Sequence, residues 1–211
     1  MKRRVGILIS GRGSNMEALI HAAKADFPAE IGLVIAHRAA EGLATAARLD
    51  VPTALIPSRD FGPDRAAHEA ALDAALRAHD IEIICLAGYM RLLTPYLVNR
   101  WAGRMLNIHP SLLPAFPGLN THQRALDAGA KLHGCTVHLV TEIMDDGPIL
   151  AQAAVPVLPA DDEASLAARV LLQEHRLYPA ALAQFCAADA VSWANPQSAF
   201  TNPLPWTTQG R

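Results

Sequence analysis

Val5-Gly6-Ile7-Leu8-Ile9-Ser10-Gly11-Arg12-Gly13-Ser14-Asn15-Met16-Glu17-Ala18-Leu19-Ile20 runs from a short apolar stretch through a glycine-bearing turn into a helical pattern. The apolar run, residues 5–9, suits a strand buried on both faces of a parallel sheet. A strand that passes through glycines directly into a helix aims free backbone N–H groups, and the positive end of the helix dipole, at an anion. Met16 stands where a GxGxxG fingerprint would carry its third glycine, and no Gly-Lys-Ser/Thr follows, so a dinucleotide fingerprint is disfavoured and a Walker A loop is absent. The turn is therefore expected to meet a single phosphate group. The competing use of the stretch is a plain turn with a Ser or Asn helix cap.

Outward from this unit the same pattern repeats. Residues 31–36 read as a second strand, 40–49 as an alanine-rich helix, and 53–56 as a third strand. Residues 65–79 form a long helix with Asp64 as its cap, and 81–87 are apolar at nearly every position, as a central strand requires. A helix near 94–101 precedes a strand that ends in Asn107-Ile108-His109. Strand–helix alternation of this kind predicts an α/β fold: a doubly wound, mostly parallel twisted sheet with helices on both faces and right-handed crossovers. Ligands of such sheets sit at the carboxyl ends of the strands, near the switch point. The glycine turn, Gly88-Tyr89-Met90-Arg91-Leu92-Leu93 and Asn107-Ile108-His109 end strands one, four and five, and all three fall on one rim.

Asn107-Ile108-His109-Pro110-Ser111-Leu112-Leu113-Pro114 carries the chemistry expected there. Asn107 and His109 are two apart, so an extended chain turns both to one side. An amide donor beside a titratable ring suits stabilisation of an oxyanion. Pro110 and Pro114 brace the exit, and Ser111 is not read as a nucleophile. Further on, a helix is expected at 121–128 and strands at 135–140 and 149–157. The acidic loop Thr141-Glu142-Ile143-Met144-Asp145-Asp146-Gly147-Pro148 lies between those strands. Its flanking strand would bring Asp145 or Asp146 to the rim that bears His109, and the residues alone do not choose between the two. A carboxylate beside an imidazole favours the cation and makes the ring a better proton donor.

Residues 164–186 predict a long amphipathic helix, interrupted near Tyr178-Pro179, with most of its charges solvated. From residue 189 the composition turns to Ser, Asn, Gln, Thr and Pro, and 189–211 read as an extended or partly disordered tail. Its Trp193, Phe200 and Trp206 offer a surface for a second subunit, so a homodimer is among the expected partners. His122 is a candidate substrate contact, whereas His21, His37, His68 and His79 read as surface positions. His133 and His138 flank Cys135, but their spacing matches no zinc pattern and no metal is expected.

The chain has 211 residues, 51% hydrophobic and 18% charged, which suits one large globular domain and excludes disorder. A formal net charge of −2 gives no reason to expect nucleic acid. No run approaches the roughly 18 apolar residues of a membrane span. Cys85, Cys135 and Cys186 are odd in number and lack a CxxC, as for buried thiols in a reducing cytoplasm.

Six stretches, across roughly residues 4–185, are Ser10 to Asn15, Leu86 to Leu93, Asn107 to Pro114 with Pro117-Gly118, His133 to His138, Asp145 to Ile149, and Gln173-Glu174-His175-Arg176-Leu177-Tyr178-Pro179. In these motifs, their order and their spacing the chain resembles the phosphoribosylglycinamide formyltransferases, folate-dependent enzymes of de novo purine biosynthesis. The resemblance implies the formyltransferase fold, with a Rossmann-like N-terminal half, over a single domain at 1–188. It implies one-carbon transfer from 10-formyltetrahydrofolate, as co-substrate and without a metal, to the amine of glycinamide ribonucleotide. Asn107, His109 and Asp145 would be the catalytic set, which settles the choice between Asp145 and Asp146. Gly13, Ser14 and Asn15 would hold the ribonucleotide phosphate, with Glu174 near its ribose. Arg65, Leu86, Met90, Arg91, Leu92, Leu93, Val98, Asn107 and Val140 would line the folate site.

The chain departs from the family at Ala115, where some relatives carry Lys, at Asn120, where His occurs, and at Leu171, where a polar ribose-side residue occurs. These positions bear on substrate contacts and not on the chemistry. Two formyl-handling alternatives carry extra parts: a formyltetrahydrofolate hydrolase brings an N-terminal regulatory domain, and a transferase acting on initiator tRNA a basic C-terminal domain. The chain is expected to have neither. A non-catalytic phosphate-binding module would leave Asn107, His109 and Asp145 unexplained. A nicotinamide dehydrogenase would want an acidic residue where His37-Arg38 stands.

Overall fold

A computed structural model describes residues 2–187. Its centre is a seven-stranded sheet in the order β3-β2-β1-β4-β5-β6-β7. The strands are β1 (Arg3–Ile9), β2 (Ala29–Ala36), β3 (Thr53–Leu55), β4 (Ile83–Leu86), β5 (Met105–His109), β6 (Leu132–Leu139) and β7 (Ile149–Pro156). The first five pair in parallel and the last two antiparallel. The helices are α1 (Ser14–Ala23), α2 (Glu41–Arg48), α3 (Arg65–Ala78), α4 (Pro95–Arg100), α5 (Thr121–Asp127) and α6 (Glu163–Ala187). A 3-10 turn at Ser58–Phe61 precedes α3. The tail at 189–211, with Trp193, Phe200 and Trp206, lies outside the described residues.

Two apolar layers sandwich the sheet. One gathers Ile7, Ile9, Met16, Leu19, Cys135, Val170 and Leu177, with α1 and α6 on that side. The other gathers Leu8, Leu33, Leu72, Leu76, Leu86 and Trp101 under α3 and α4. Each of the four residues of β4 is buried, and β4 lies between β1 and β5, where the apolar run placed it. Asp64 caps α3 as expected, its side chain accepting the Ala67 N–H at 2.9 Å. Strand order reverses between β1 and β4, so their carboxyl ends and that of β5 form the rim at the switch point.

Two expectations fail here. α6 is not interrupted at Tyr178-Pro179 but runs through Pro179 to Ala187. A proline inside a helix removes one N–H bond, and Tyr178 offsets that loss by burying its ring and donating to the carbonyls of Leu86 and Leu106, each at 3.1 Å. His68 and His37 are not surface positions: they are 0% and 7% exposed. His68 lies four and eight residues before Leu72 and Leu76, hence on the inward stripe of α3, and its Nε2 meets the Ile56 carbonyl at 3.0 Å. His37 Nε2 lies 2.8 Å from the Ser10 hydroxyl. His79 is half-buried and His21 exposed.

Candidate active site

The glycine turn leads directly from β1 into α1. Gly13 occupies the N-cap position of α1 at φ 79°, in the left-handed region, and no side chain caps the helix. The first helical bond is Glu17 N–H to the Gly13 carbonyl, so the N–H groups of Ser14, Asn15 and Met16 have no partner within the helix. Ser14 and Asn15 border a hollow lined by residues 11–15 with Ala87 and Gly88. Gly42, in α2, closes the back of the turn: a Cβ there would sit 2.6 Å from Ile9 Cδ1 and 3.0 Å from the carbonyl oxygens of Gly11 and Arg12. Its own N–H donates to the Gly11 carbonyl at 3.1 Å. A single glycine in an alanine-rich helix offered no sequence signal for this role. Asn15 and Glu174 meet across the site, Nδ2 donating to Oε2 at 2.6 Å. Burial raises the Glu174 pKa, against the lowering effect of the Asn15 bond. Asn15 Oδ1 is buried with no partner.

Asn107 and His109 project from one face of β5, and the antiparallel register sets His138 opposite Asn107 and Thr136 opposite His109. His109 Nε2 donates to the Phe116 carbonyl at 3.0 Å, which leaves Nδ1 facing Asp145 Oδ2 at 3.5 Å. The same Asp145 oxygen accepts the Gly118 N–H at 2.8 Å, and Oδ1 lies 3.9 Å from His138 Nε2. Asp145 does not arrive from a strand end at the rim. β6 runs antiparallel to β5, so its loop departs beside the start of β5, where Val140 N–H donates to the Met105 carbonyl at 2.8 Å. The loop must fold back over the sheet face to reach His109, with Asp145 itself at φ 55°.

His138 is a site residue that the sequence reading set aside. Its Nδ1 lies 2.9 Å from the Leu139 carbonyl and its Nε2 3.1 Å from Asn107 Nδ2. Burial, then the Leu139 carbonyl and Asp145 in opposition, and finally His109, leave its pKa below the ordinary histidine value. Thr136 ties the following loop down: its hydroxyl donates to the Ser111 carbonyl at 2.7 Å and accepts the Leu113 N–H at 3.0 Å. The Ser111 hydroxyl is spent on the Ala115 carbonyl at 2.6 Å.

The expected folate wall is part core and part surface. Leu86, Leu93 and Val140 pack in one apolar cluster, and Val98 is buried on α4. Met90 and Leu92 are 61% and 58% exposed. The Arg65 guanidinium donates to the Leu92 carbonyl, and the Arg91 Nε is buried without a partner. The Met90 N–H donates to the Ser10 hydroxyl at 2.7 Å, joining this wall to the glycine turn.

His122 Nδ1 pairs with His133 Nε2 at 3.2 Å. Burial, with His122 adding to it, pushes the His133 pKa down to about 4. His133 and His138 lie on opposite faces of β6. Among the described residues no group of three or more His, Cys, Asp or Glu is placed to hold a metal ion. No helix among them is long and apolar enough to cross a membrane. Ala115 and Asn120 are exposed, and Leu171 is half-buried.

The sequence profile of the formyl transferase family matches residues 3–182. The chain is 42% identical to the phosphoribosylglycinamide formyltransferase of Haemophilus influenzae, over 87% of both chains. This protein belongs to that formyltransferase family. The family member of Brucella melitensis superposes with a TM-score of 0.85 at 60% identity, covering 90% of this chain and 98% of that one. This chain is also 47% identical to the trifunctional purine biosynthetic protein adenosine-3 of Homo sapiens, but spans 18% of its length. A formyltetrahydrofolate deformylase of Pseudomonas syringae shares the fold at 28% identity, with a TM-score of 0.80, and this chain covers 62% of it.

Proposed function

We propose that this formyltransferase moves the formyl group of 10-formyltetrahydrofolate to the amine of N1-(5-phospho-D-ribosyl)glycinamide in de novo purine biosynthesis, with Asn107, His109 and Asp145 as its catalytic residues. The observation that carries the reading is the meeting of Asn107, His109 and Asp145 over one sheet face. That face adjoins a rim whose uncapped helix opens onto a hollow. The hollow suits the phosphate, held by the N–H groups at Gly13, Ser14 and Asn15, and Asn15 Oδ1 and Glu174 suit the ribose hydroxyls. Met90, Leu92 and Leu93, with Leu86, Val98 and Val140 behind them, suit the flat rings of the folate, and Arg65 and Arg91 its carboxylates.

In this reading the amine nitrogen attacks the formyl carbon and the carbonyl electron pair moves onto oxygen. His109 donates from Nδ1, and Asn107 from Nδ2, to that oxygen. Asp145, 3.5 Å from the ring, compensates positive charge on it. The carboxylate then passes the proton lost by the attacking nitrogen to N10 of the folate. The tetrahedral intermediate collapses with cleavage of the bond from carbon to N10, releasing tetrahydrofolate and the formylated amine. The folate carries the one-carbon unit, and the protein supplies position and electrostatics. We place the reaction in the cytoplasm, where Cys85 and Cys135 stay buried, free thiols, and assign it to residues 1–188 as one domain.

The likeness to a deformylase favours one second reading, hydrolysis of the same folate. An absorbance assay of 10-formyltetrahydrofolate with purified protein separates the two. Folate release only when the ribonucleotide is present is the expected result, whereas release without it assigns the hydrolase. Ligand binding with no release in either arm would leave a binding module.

A further inference from the structure

Asn107 has a neighbour that decides what it can offer. An amide's oxygen and nitrogen corners are nearly equal in size and opposite in hydrogen-bonding role, so the amide faces whichever way its partner demands. The partner is His138, 2% exposed and directly across the ladder. We propose that His138 is a positioning residue that orients the Asn107 amide for the oxyanion, an inference that rests on Asn107 serving that oxyanion.

His138 Nδ1 is committed as a donor to the Leu139 carbonyl at 2.9 Å. In the neutral ring Nε2 then holds only a lone pair, and only the Nδ2 corner of Asn107 can face it, at 3.1 Å. One amide N–H is used on His138 and the second stays available to substrate. A proton on Nε2 would set two donors against each other at that distance. The amide would turn over to present Oδ1, and its donor would move to the other corner, about 2 Å away, a displacement that catalysis does not tolerate. The titratable groups that face His138 are His109 on β5 and Asp145 on the loop after β6. Asp145 favours the imidazolium, and burial with His109 opposes it. The neutral ring is the form the site needs.

The test is a double-mutant cycle of His138→Leu and Asn107→Ala, with His138→Gln as the conservative variant and circular dichroism melting as the check of folding. Leucine removes the acceptor, while the Gln Oε1 stands where Nε2 stood. His138→Leu is expected to lower kcat by about tenfold to hundredfold with little change in either KM. His138→Gln should restore most of that loss, and His138→Leu should add little in the Asn107→Ala background. The loss of kcat on acidification that belongs to His138, below the ordinary histidine range, should be missing from His138→Gln. Full activity of folded His138→Leu, or failure of folded His138→Gln to rescue, would overturn the proposal. So would a loss in the Asn107→Ala background as large as in the wild type, while leaving the role of Asn107 intact. Wild-type turnover of Asn107→Ala would instead overturn the reading of Asn107 and this inference with it.

Discussion

At His109 one ring lies between two oxygens, the Phe116 carbonyl at 3.0 Å and Asp145 Oδ2 at 3.5 Å. In the proposed reaction the longer contact is the one a substrate oxygen enters, because Asp145 Oδ2 also accepts the Gly118 N–H at 2.8 Å. Replacing His109 or Asp145 by Ala should lower kcat by roughly a hundredfold to ten-thousandfold, with an unchanged circular dichroism spectrum. Near-normal turnover in either folded variant would sink the mechanism. Glu174 lies beside Asn15 at the glycine turn. Glu174→Ala leaves Asn15 Nδ2 without its 2.6 Å acceptor, and the KM for the ribonucleotide should rise roughly tenfold or more while the folate KM holds. Initial-rate kinetics in both substrates would read the difference, and equal rises in both KM values would contradict the assignment.

At the scale of elements, the site depends on close approaches more than on side-chain chemistry. α2 touches the glycine turn through Gly42, where an added methyl group meets Ile9 Cδ1 and two carbonyl oxygens. Gly42→Ala should therefore shift the turn and weaken ribonucleotide binding while leaving the apolar layers in place. Calorimetric titration with the ribonucleotide would check this, and undiminished affinity would refute it. α6 is joined to the centre of the sheet by Tyr178, whose hydroxyl bonds to carbonyls on β4 and β5. Tyr178→Phe keeps the ring but removes both bonds, and should cost about 1–3 kcal/mol in urea unfolding. An unchanged midpoint would mean that packing alone carries the helix past Pro179.

For the whole molecule, acid is the expected weakness. Burial first of all lowers the pKa values of His37, His68, His122, His133, His138 and His175, and His133 falls to about 4 from 6.5. A histidine whose folded pKa is depressed takes up its proton more readily in the unfolded chain. Its contribution to stability is present above the unfolded value and is lost as pH falls toward the folded one. Glu174, raised above 4.5, works the other way, gaining its proton first in the folded state. With several histidines against one carboxylate, the urea midpoint should fall as pH drops from 7 toward 4. His133→Asn should flatten part of that slope, and a midpoint that rises or stays level over this range would contradict the balance.

What the sequence determined by itself was whatever is written locally. Apolar runs and helical stripes placed each strand and each of the six α-helices among the described residues to within a few residues, because periodicity needs no distant partner. The inward position of His68 was open to the same reasoning, since it stands on the stripe of Leu72 and Leu76. Asn107 and His109 share a face because they are two apart in a strand, and the glycine turn leaves the start of α1 without a side-chain cap whatever its distant neighbours are. The tertiary structure alone decided the rest. It carried α6 through Pro179, brought Gly42 behind the turn, and set His138 beside Asn107. Asp145 comes within 3.5 Å of His109 only because its loop folds back from the far end of an antiparallel strand. These features depend on contacts between residues 30 to 92 positions apart, and such contacts have energy only once the sheet is assembled.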